Sequence, residues 1–228
     1  MSRRVPEFAV LIGIFLGLSV VVTGITLGWG LYATVVLGAL VSYPFVGFGI
    51  VRDDDPAATL RPRWLLAGGV VVAAAGSLGV VLEDPTAAGL LRAALVGLVL
   101  VAPPAGYAAH FGAGVNPLSP RTSVAVGAAT GVVLAISGPL VGEPLVGVAA
   151  GVLCALGAAL YGAARGVDFE RRTKRRAAAA GGVVGLGIAA VGVVTAGPLG
   201  EWLLVGVAVA FVPSLYAALT MDRRARAK

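Results

Sequence analysis

Charged residues are scarce in this chain. They make up 12% of the 228 positions, while hydrophobic residues make up 58%. An average soluble domain carries about 25% charged residues, and a soluble fold has too much surface to cover with so few. In a lipid bilayer the requirement reverses, because long uncharged runs form the stable surface there. The scarcity of charge therefore predicts an integral membrane protein.

Cysteine and histidine are almost absent, with one of each, Cys154 and His110. One cysteine excludes an internal disulfide and any site built from several thiolates. A lone histidine cannot hold a metal without help from carboxylates or thiolates. We interpret Cys154, which lies among Val, Ala and Gly, as a small packing residue. We expect no cofactor and no metal site.

The central parts of the apolar runs contain no Asp, Glu or Lys. Proton-coupled pumps and exchangers generally use a carboxylate or a histidine at that depth, so this absence counts against them. A catalytic serine is also not indicated, because Ser137 and the only histidine, His110, lie at opposite ends of their predicted helices. A nucleophile needs its base within hydrogen-bond reach. We expect no catalytic residues and no enzymatic activity.

What the chain has instead is a series of about eight apolar runs, each long enough to cross a bilayer at about 20 residues per span. They predict an all-α polytopic transmembrane helix bundle that forms a single integral membrane domain over residues 1–228. Arg3 and Arg4 before the first run also suggest a signal peptide, but the run is long and ends without a clear cleavage site. We therefore expect the first helix to be retained. The predicted spans are residues 5–27, 30–51, 64–82, 89–110, 122–138, 145–164, 177–196 and 202–220.

The loops between these runs alternate in charge. With the N-terminus inside, every basic residue except Arg92 falls on the cytoplasmic side, and the outer turns carry Glu83, Asp84, Glu143 and Glu201. The positive-inside rule therefore predicts a plasma-membrane protein with both termini in the cytoplasm. This distribution also accounts for the net charge of +6, so we expect no nucleic-acid partner.

The helical hairpins resemble one another in sequence. Gly138-Pro139-Leu140 aligns with Gly197-Pro198-Leu199, and Leu145-Val146-Gly147-Val148 aligns with Leu204-Val205-Gly206-Val207. An aromatic residue recurs near the end of each even-numbered span, at Phe48, Tyr107, Tyr161 and Tyr216. These matches predict four repeated hairpins in parallel orientation, over residues 5–51, 64–110, 122–164 and 177–220, with the first the weakest match. The alternative is chance similarity among helices rich in Ala, Gly and Val.

Glycine pairs at four-residue spacing are frequent, and such pairs allow close helix crossing. We interpret them as packing within the chain, while homo- or hetero-oligomerisation stays open. The pairs are Gly13/Gly17, Gly24/Gly28, Gly127/Gly131, Gly147/Gly151 and Gly181/Gly185.

Prolines inside the even-numbered spans suggest a site. Proline removes a backbone hydrogen bond, which leaves a carbonyl available to a neighbour, water or an ion. Together with nearby polar side chains, the prolines predict a cavity open to the cytoplasm. Alternatively they mark early helix ends, and the aromatic residues form an interfacial belt. The candidate cavity-lining residues are Ser42, Tyr43, Pro44, Pro103, Pro104, Tyr107, Pro213, Ser214 and Tyr216.

Two clusters of charge suggest binding. Arg92, near the outer face, either binds an anion or extends outward to pair with Glu83 or Asp84, and we favour the pairing. The basic loop at residues 165–176 either docks anionic lipid headgroups or serves only to set the topology.

Two functions remain in view. The repeated hairpins and prolines favour a small-solute permease or a channel-like transporter, by analogy of architecture alone. The short loops and the lack of buried charge indicate the alternative, a structural or accessory subunit of a membrane complex with no solute path.

Overall fold

The computed structural model describes residues 4–52, 57, 61–112, 116–167, 170–194, 202, 203, 205–207, 209 and 210. These residues are almost entirely helical, and seven of the helices are long and apolar enough to cross a membrane. Further helical residues lie between 202 and 210, where the eighth span is predicted. The seven helices are α1 (Arg4–Thr26), α2 (Leu31–Arg52), α3 (Pro62–Glu83), α4 (Ala87–Phe111), α5 (Pro120–Leu140), α6 (Pro144–Ala164) and α7 (Arg171–Val194).

The helix ends follow local sequence signals. Proline occupies the first turn of α3, α5 and α6, where its missing N–H is not needed. The hydroxyl oxygen of Thr86 accepts a hydrogen bond from the Gly89 amide at the start of α4, and Ser119 does the same for Thr122 before α5. Such caps satisfy amides that the helix itself leaves without an acceptor.

One predicted boundary is wrong. Residues 171–176 were expected in a loop, but α7 begins at Arg171 and contains them all. Arginine and lysine are good helix formers, and this stretch has no glycine or proline to interrupt the helix. Hydrophobicity marks where a span enters lipid, and a helix often extends further.

The chain divides into two compact units, Met1–Val115 and Asn116–Lys228. In the first unit α1 pairs with α2, α3 pairs with α4, and α2 also contacts α3 and α4. A buried cluster of Val80, Ala93 and Val96 is packed against apolar residues of α2 such as Leu31 and Val35. In the second unit α5 pairs with α6.

Glycines form the contact line of three hairpins. In α1 the buried residues are Gly13, Gly17 and Gly24. The buried residues of α5 are Gly131 and Gly138, and those of α7 include Gly181, Gly185 and Gly192. Removing the side chain lets two backbones approach and gain dispersion contacts, which is a main source of helix association in lipid. The interpretation of these glycines as internal packing residues agrees with their burial.

The same reciprocal contact occurs in these three hairpins. A Cβ atom on Gly17 would lie 3.1 Å from the carbonyl oxygen of Gly38, and one on Gly38 would lie 3.2 Å from that of Gly17. Gly131 and Gly151 face each other in the same way, as do Gly185 and Gly206. We call each of these glycine pairs and its small neighbours one turn away a glycine seam.

The contact between α3 and α4, in the second hairpin, uses larger residues. Ala73 and Val80 of α3 are buried, and a Cβ atom on Gly97 of α4 would lie 2.7 Å from the hydroxyl of Ser77. Gly69 faces Pro104 as Gly127 faces Ala158 in the third hairpin. One predicted pair does not pack, because Gly28 adopts a φ of 68° in the turn after α1 and meets nothing within 4 Å.

The outer faces of the helices are apolar and exposed. Only 11% to 33% of each span is buried, and large side chains such as Phe15, Trp64 and Leu186 are more than two-thirds exposed. Helices that are apolar on all sides belong in a hydrophobic environment. The described residues are therefore those of a multi-pass, membrane-embedded helical protein.

Candidate functional site

The predicted cavity residues that the structure describes lie on two helices of the first unit. Ser42, Tyr43 and Pro44 are on α2, and Pro103, Pro104 and Tyr107 are on α4. Pro213, Ser214 and Tyr216 lie outside the described residues.

Ser42 belongs to the contact between α1 and α2. A Cβ atom on Gly17 would lie 3.0 Å from the Cβ atom of Ser42 and 3.4 Å from its hydroxyl oxygen. Consecutive residues of a helix point in directions about 100° apart, since there are 3.6 residues per turn. Ser42 therefore packs toward α1, whereas Tyr43 reaches a different helix.

Tyr43 joins the first hairpin to the second. Its hydroxyl donates a hydrogen bond of 2.8 Å to the carbonyl oxygen of Val99 in α4. In an α-helix that carbonyl would accept from the amide of residue 103, but residue 103 is proline and has no N–H. The tyrosine therefore satisfies the acceptor that the proline leaves free.

Tyr43 and Pro103 are both predicted site residues, but the sequence alone does not pair them. A proline identifies the free carbonyl, which lies four residues earlier, and its donor then has to come from a neighbouring helix. A phenol group is the appropriate donor, because its long, rigid ring spans the gap between two helix axes.

The other cavity residues do not converge on this bond. Pro44 and Pro103 are exposed on the outer surface of their helices, and Pro104 packs against Gly69 of α3. Tyr107 is 6% exposed, and its ring centroid lies 4.8 Å from that of Phe111. The described candidates thus comprise one bond between hairpins, at Tyr43, packing contacts at Ser42, Pro104 and Tyr107, and two exposed prolines.

Aromatic residues near the ends of two even-numbered helices each contact an arginine one turn later. The guanidinium carbon of Arg52 lies 5.5 Å from the ring centroid of Phe48, and that of Arg165 lies 5.8 Å from the ring of Tyr161. A cation over an aromatic face at such distances is attracted by the ring quadrupole. These pairs have the composition of a membrane interface, as the belt interpretation of the aromatic residues expects.

In the first unit, polar side-chain contacts gather at the turn between α3 and α4. This turn lies by the start of α2, at the other end of that helix from Arg52. Glu83 accepts a 2.8 Å hydrogen bond from the backbone amide of Leu31, at the start of α2. The guanidinium of Arg92 lies 3.3 Å from the carboxylate of Asp84. The structure thus selects the pairing of Arg92 with Asp84 from the two partners that the sequence left open.

Asp84 also binds Thr86, whose hydroxyl donates to the carboxylate over 2.6 Å. This hydrogen bond, with the backbone amide of Thr86 and the charge of Arg92 in support, holds the pKa of Asp84 below its ordinary value of 3.8. The carboxylate is therefore ionised at neutral pH and fixes the turn from its charged form.

No protein family, curated protein or solved structure matches this chain. Its function therefore has to be argued from the contacts described above and from the distribution of charge along the helices.

The N-terminal part of α7 carries the most concentrated charge of the described residues. Its exposed groove has a volume of about 410 Å³ and is lined by Arg171, Arg172, Arg175, Arg176 and Ala179. Lys174, on the same two turns, is only 9% exposed and lies in line with the buried glycines of α7. The lysine thus lies on the packed side of the helix and the four arginines on its exposed side.

Proposed function

We propose that this protein is a structural or accessory subunit of a membrane complex, without a solute path of its own. The observation that carries the proposal is the hydrogen bond from Tyr43 to Val99. A permease needs polar groups that face water inside the membrane. Here the Tyr43 hydroxyl joins two helices.

Ser42 supports the same proposal. Its side chain packs into the contact with Gly17, so two of the polar residues expected to line a cavity, Ser42 and Tyr43, take part in contacts between helices. Hydrogen bonds and close backbone contacts of this kind stabilise helix association in lipid. A protein built in this way is suited to present fixed helix surfaces to lipid or to a partner subunit.

The proposal includes four repeated hairpins. The reciprocal glycine contacts at Gly17/Gly38, Gly131/Gly151 and Gly185/Gly206 support three of them, and Gly97 with Ser77 supports the second hairpin. In this register Phe48, Tyr107, Tyr161 and Tyr216 are equivalent, as the sequence alignment has them. The glycine contacts favour Gly151 over Gly147 as the counterpart of Gly206. The alignment by sequence instead matches Gly206 with Gly147, one helical turn earlier.

We also propose that both termini face the cytoplasm of a cell whose plasma membrane holds the protein. Basic residues lie at the helix ends next to the connections between hairpins. Arg52 is at the end of α2, and four arginines are at the start of α7. Acidic residues lie at the opposite helix ends, by the turns within hairpins. They are Glu83, Asp84 and Glu143. The asymmetry follows the positive-inside rule.

Cysteine accessibility tests this proposal against the permease alternative. In a Cys154→Ala background, single cysteines replace Ser42, near Pro44, and Ala102, next to Pro103. A membrane-impermeant thiol reagent is then applied to each side of sealed vesicles. We expect no labelling at either position. Arg63→Cys, in the exposed first turn of α3, serves as the positive control and should react from the cytoplasmic side only.

Labelling at both deep positions would show a hydrated cavity and would replace the structural role with the permease. Labelling of Arg63→Cys from the outer side would instead contradict the orientation. The two parts of the proposal therefore fail separately.

A further inference from the structure

We propose that the arginine groove at the start of α7 binds the headgroup of an anionic phospholipid of the cytoplasmic leaflet. The inference requires that α7 lies in a membrane with its N-terminus inside. It does not depend on whether the protein is a structural subunit or a permease.

The first argument is electrostatic. Arg171, Arg172, Arg175 and Arg176 are exposed, and none of them forms an ion pair with a residue that the structure describes. They occupy the first two turns of α7, which contain no acidic residue. Cations at a helix N-terminus oppose the helix dipole, and like charges four residues apart repel each other. A bound anion would offset both unfavourable interactions.

Topology alone does not account for this arrangement. The positive-inside rule needs cations only near the end of a span, and in a loop they would not oppose a helix dipole as they do in the first turns of α7. In α7 the arginines are held on one side of a regular helix, while Lys174 lies on the other, packed side. The helix thus presents a fixed cluster of guanidinium groups, the side chain best suited to phosphate oxygens.

The surface below the groove identifies the ligand as a lipid. At helical spacing, Arg172 and Arg176 are followed along one stripe by Ala179, Val183 and Leu186. Val183 is 72% exposed and Leu186 is 74% exposed. From Arg176 to Leu186 the helix rises about 15 Å, which is half the thickness of the hydrocarbon core. A phosphate at the arginines would therefore continue into an acyl chain along this apolar stripe.

The experiment uses the full-length protein in mild detergent, titrated with phosphatidylglycerol and, in parallel, with phosphatidylcholine. Native mass spectrometry resolves the first bound lipid and gives its Kd. We expect clear preference for phosphatidylglycerol. Each basic residue near an anionic surface changes the affinity about fivefold, so Arg172→Gln with Arg176→Gln should weaken the first site roughly twenty- to thirtyfold.

The matched control removes the same charge elsewhere. Arg61→Gln with Arg63→Gln, at the N-terminus of α3, should change the Kd less than about twofold. Glutamine is a good helix former, so α7 should stay intact, and circular dichroism verifies this. If the double variant does not fold, Arg176→Gln alone should still weaken the first site about fivefold.

Three results would overturn the inference. Equal loss of affinity in both double variants would show general charge attraction. Equal affinity for phosphatidylcholine would show that the groove does not recognise anionic headgroups. Displacement of the bound lipid by millimolar inorganic phosphate would assign the groove to a soluble anion.

Discussion

In the second and third hairpins, the two helices contact each other through different parts of the chain. Between α3 and α4 the contact is made by side chains, with Ala73 and Val80 buried and Ser77 donating a 2.9 Å hydrogen bond to the carbonyl of Ala93. Between α5 and α6 it is made by backbone, with Gly131 against Gly151. The contact between α3 and α4 can adjust by rotation of a side chain, whereas the backbone contact between α5 and α6 cannot.

Their turns differ in the same sense. The turn of the second hairpin is held by the side chains of Asp84 and Thr86. The turn of the third is held by the chain itself, with a φ of 78° at Gly142 and a 2.8 Å hydrogen bond from the Glu143 amide to the carbonyl of Gly138. We infer that the third hairpin depends on glycine at fixed positions and the second depends on polar side chains.

The largest effect is expected from adding a side chain to the glycine seam. In Gly151→Val the new Cβ atom would collide with the carbonyl oxygen of Gly131 and lie 2.9 Å from the Cβ atom of Ala135. Because the obstacle is backbone, the helices must separate, and we expect destabilisation of about 3 kcal/mol. Unfolding by SDS titration from mild-detergent micelles measures the change.

Two matched variants sharpen this result. Gly97→Val, in the second hairpin, meets the Ser77 hydroxyl oxygen at 2.7 Å, and since that side chain can rotate we expect a loss of about 1 kcal/mol. Gly157→Val, on α6 itself, meets nothing within 4 Å and should change stability by less than about 0.5 kcal/mol. Equal losses at Gly151 and Gly97 would contradict the distinction between the two hairpins.

A smaller effect is expected from the bond between the first and second hairpins. Tyr43→Phe removes the donor to the Val99 carbonyl and should destabilise the protein by about 1 kcal/mol, near the upper range for hydrogen bonds between membrane helices. Pro103→Ala returns an amide to that carbonyl. In this background we expect Tyr43→Phe to cost close to nothing, which the double-mutant cycle would show as coupling.

Tyr161→Phe is the control for the tyrosine substitution, because the ring of Tyr161 contacts Arg165 and phenylalanine preserves this contact. Its stability should match that of the parent protein. If Tyr43→Phe costs the same with and without Pro103, the proline is not the reason for the bond.

Much of this comparison could be predicted from sequence. The apolar runs located seven described helices, and the glycine pairs indicated contacts within the chain. The register of those contacts could not be predicted, because Gly147 and Gly151 lie one turn apart on the same helix face. Only the partner helix decides that Gly151, rather than Gly147, lies opposite Gly131.

The Tyr43 bond shows a different limit. Proline indicates that a carbonyl is free, but it does not indicate which neighbouring helix supplies the donor. The pairing of Arg92 was easier to predict because both possible partners, Glu83 and Asp84, lie in the turn just before its own helix. Local contacts follow from sequence spacing, whereas contacts between hairpins require the packing.

The smallest effect is expected from acid acting on the turn of the second hairpin. The pKa of Asp84 is lowered from 3.8, chiefly by the Thr86 hydroxyl. A folded-state pKa below the unfolded value adds stability above the unfolded pKa, and this stability is lost as the pH falls through the folded one. Asp84→Asn should therefore flatten the fall in the unfolding midpoint as the pH drops below the ordinary pKa of 3.8, with a small amplitude because the carboxylate is solvated.

Thr86→Ala separates the two roles of this turn. It removes the main cause of the lowered pKa, so it should reduce the pH dependence, and it also removes the helix cap on Gly89, which lowers stability equally at every pH. The slope against pH therefore reports on Asp84, and the offset reports on the cap. Identical pH profiles for the parent protein and Asp84→Asn would show that the Asp84 carboxylate does not stabilise its turn.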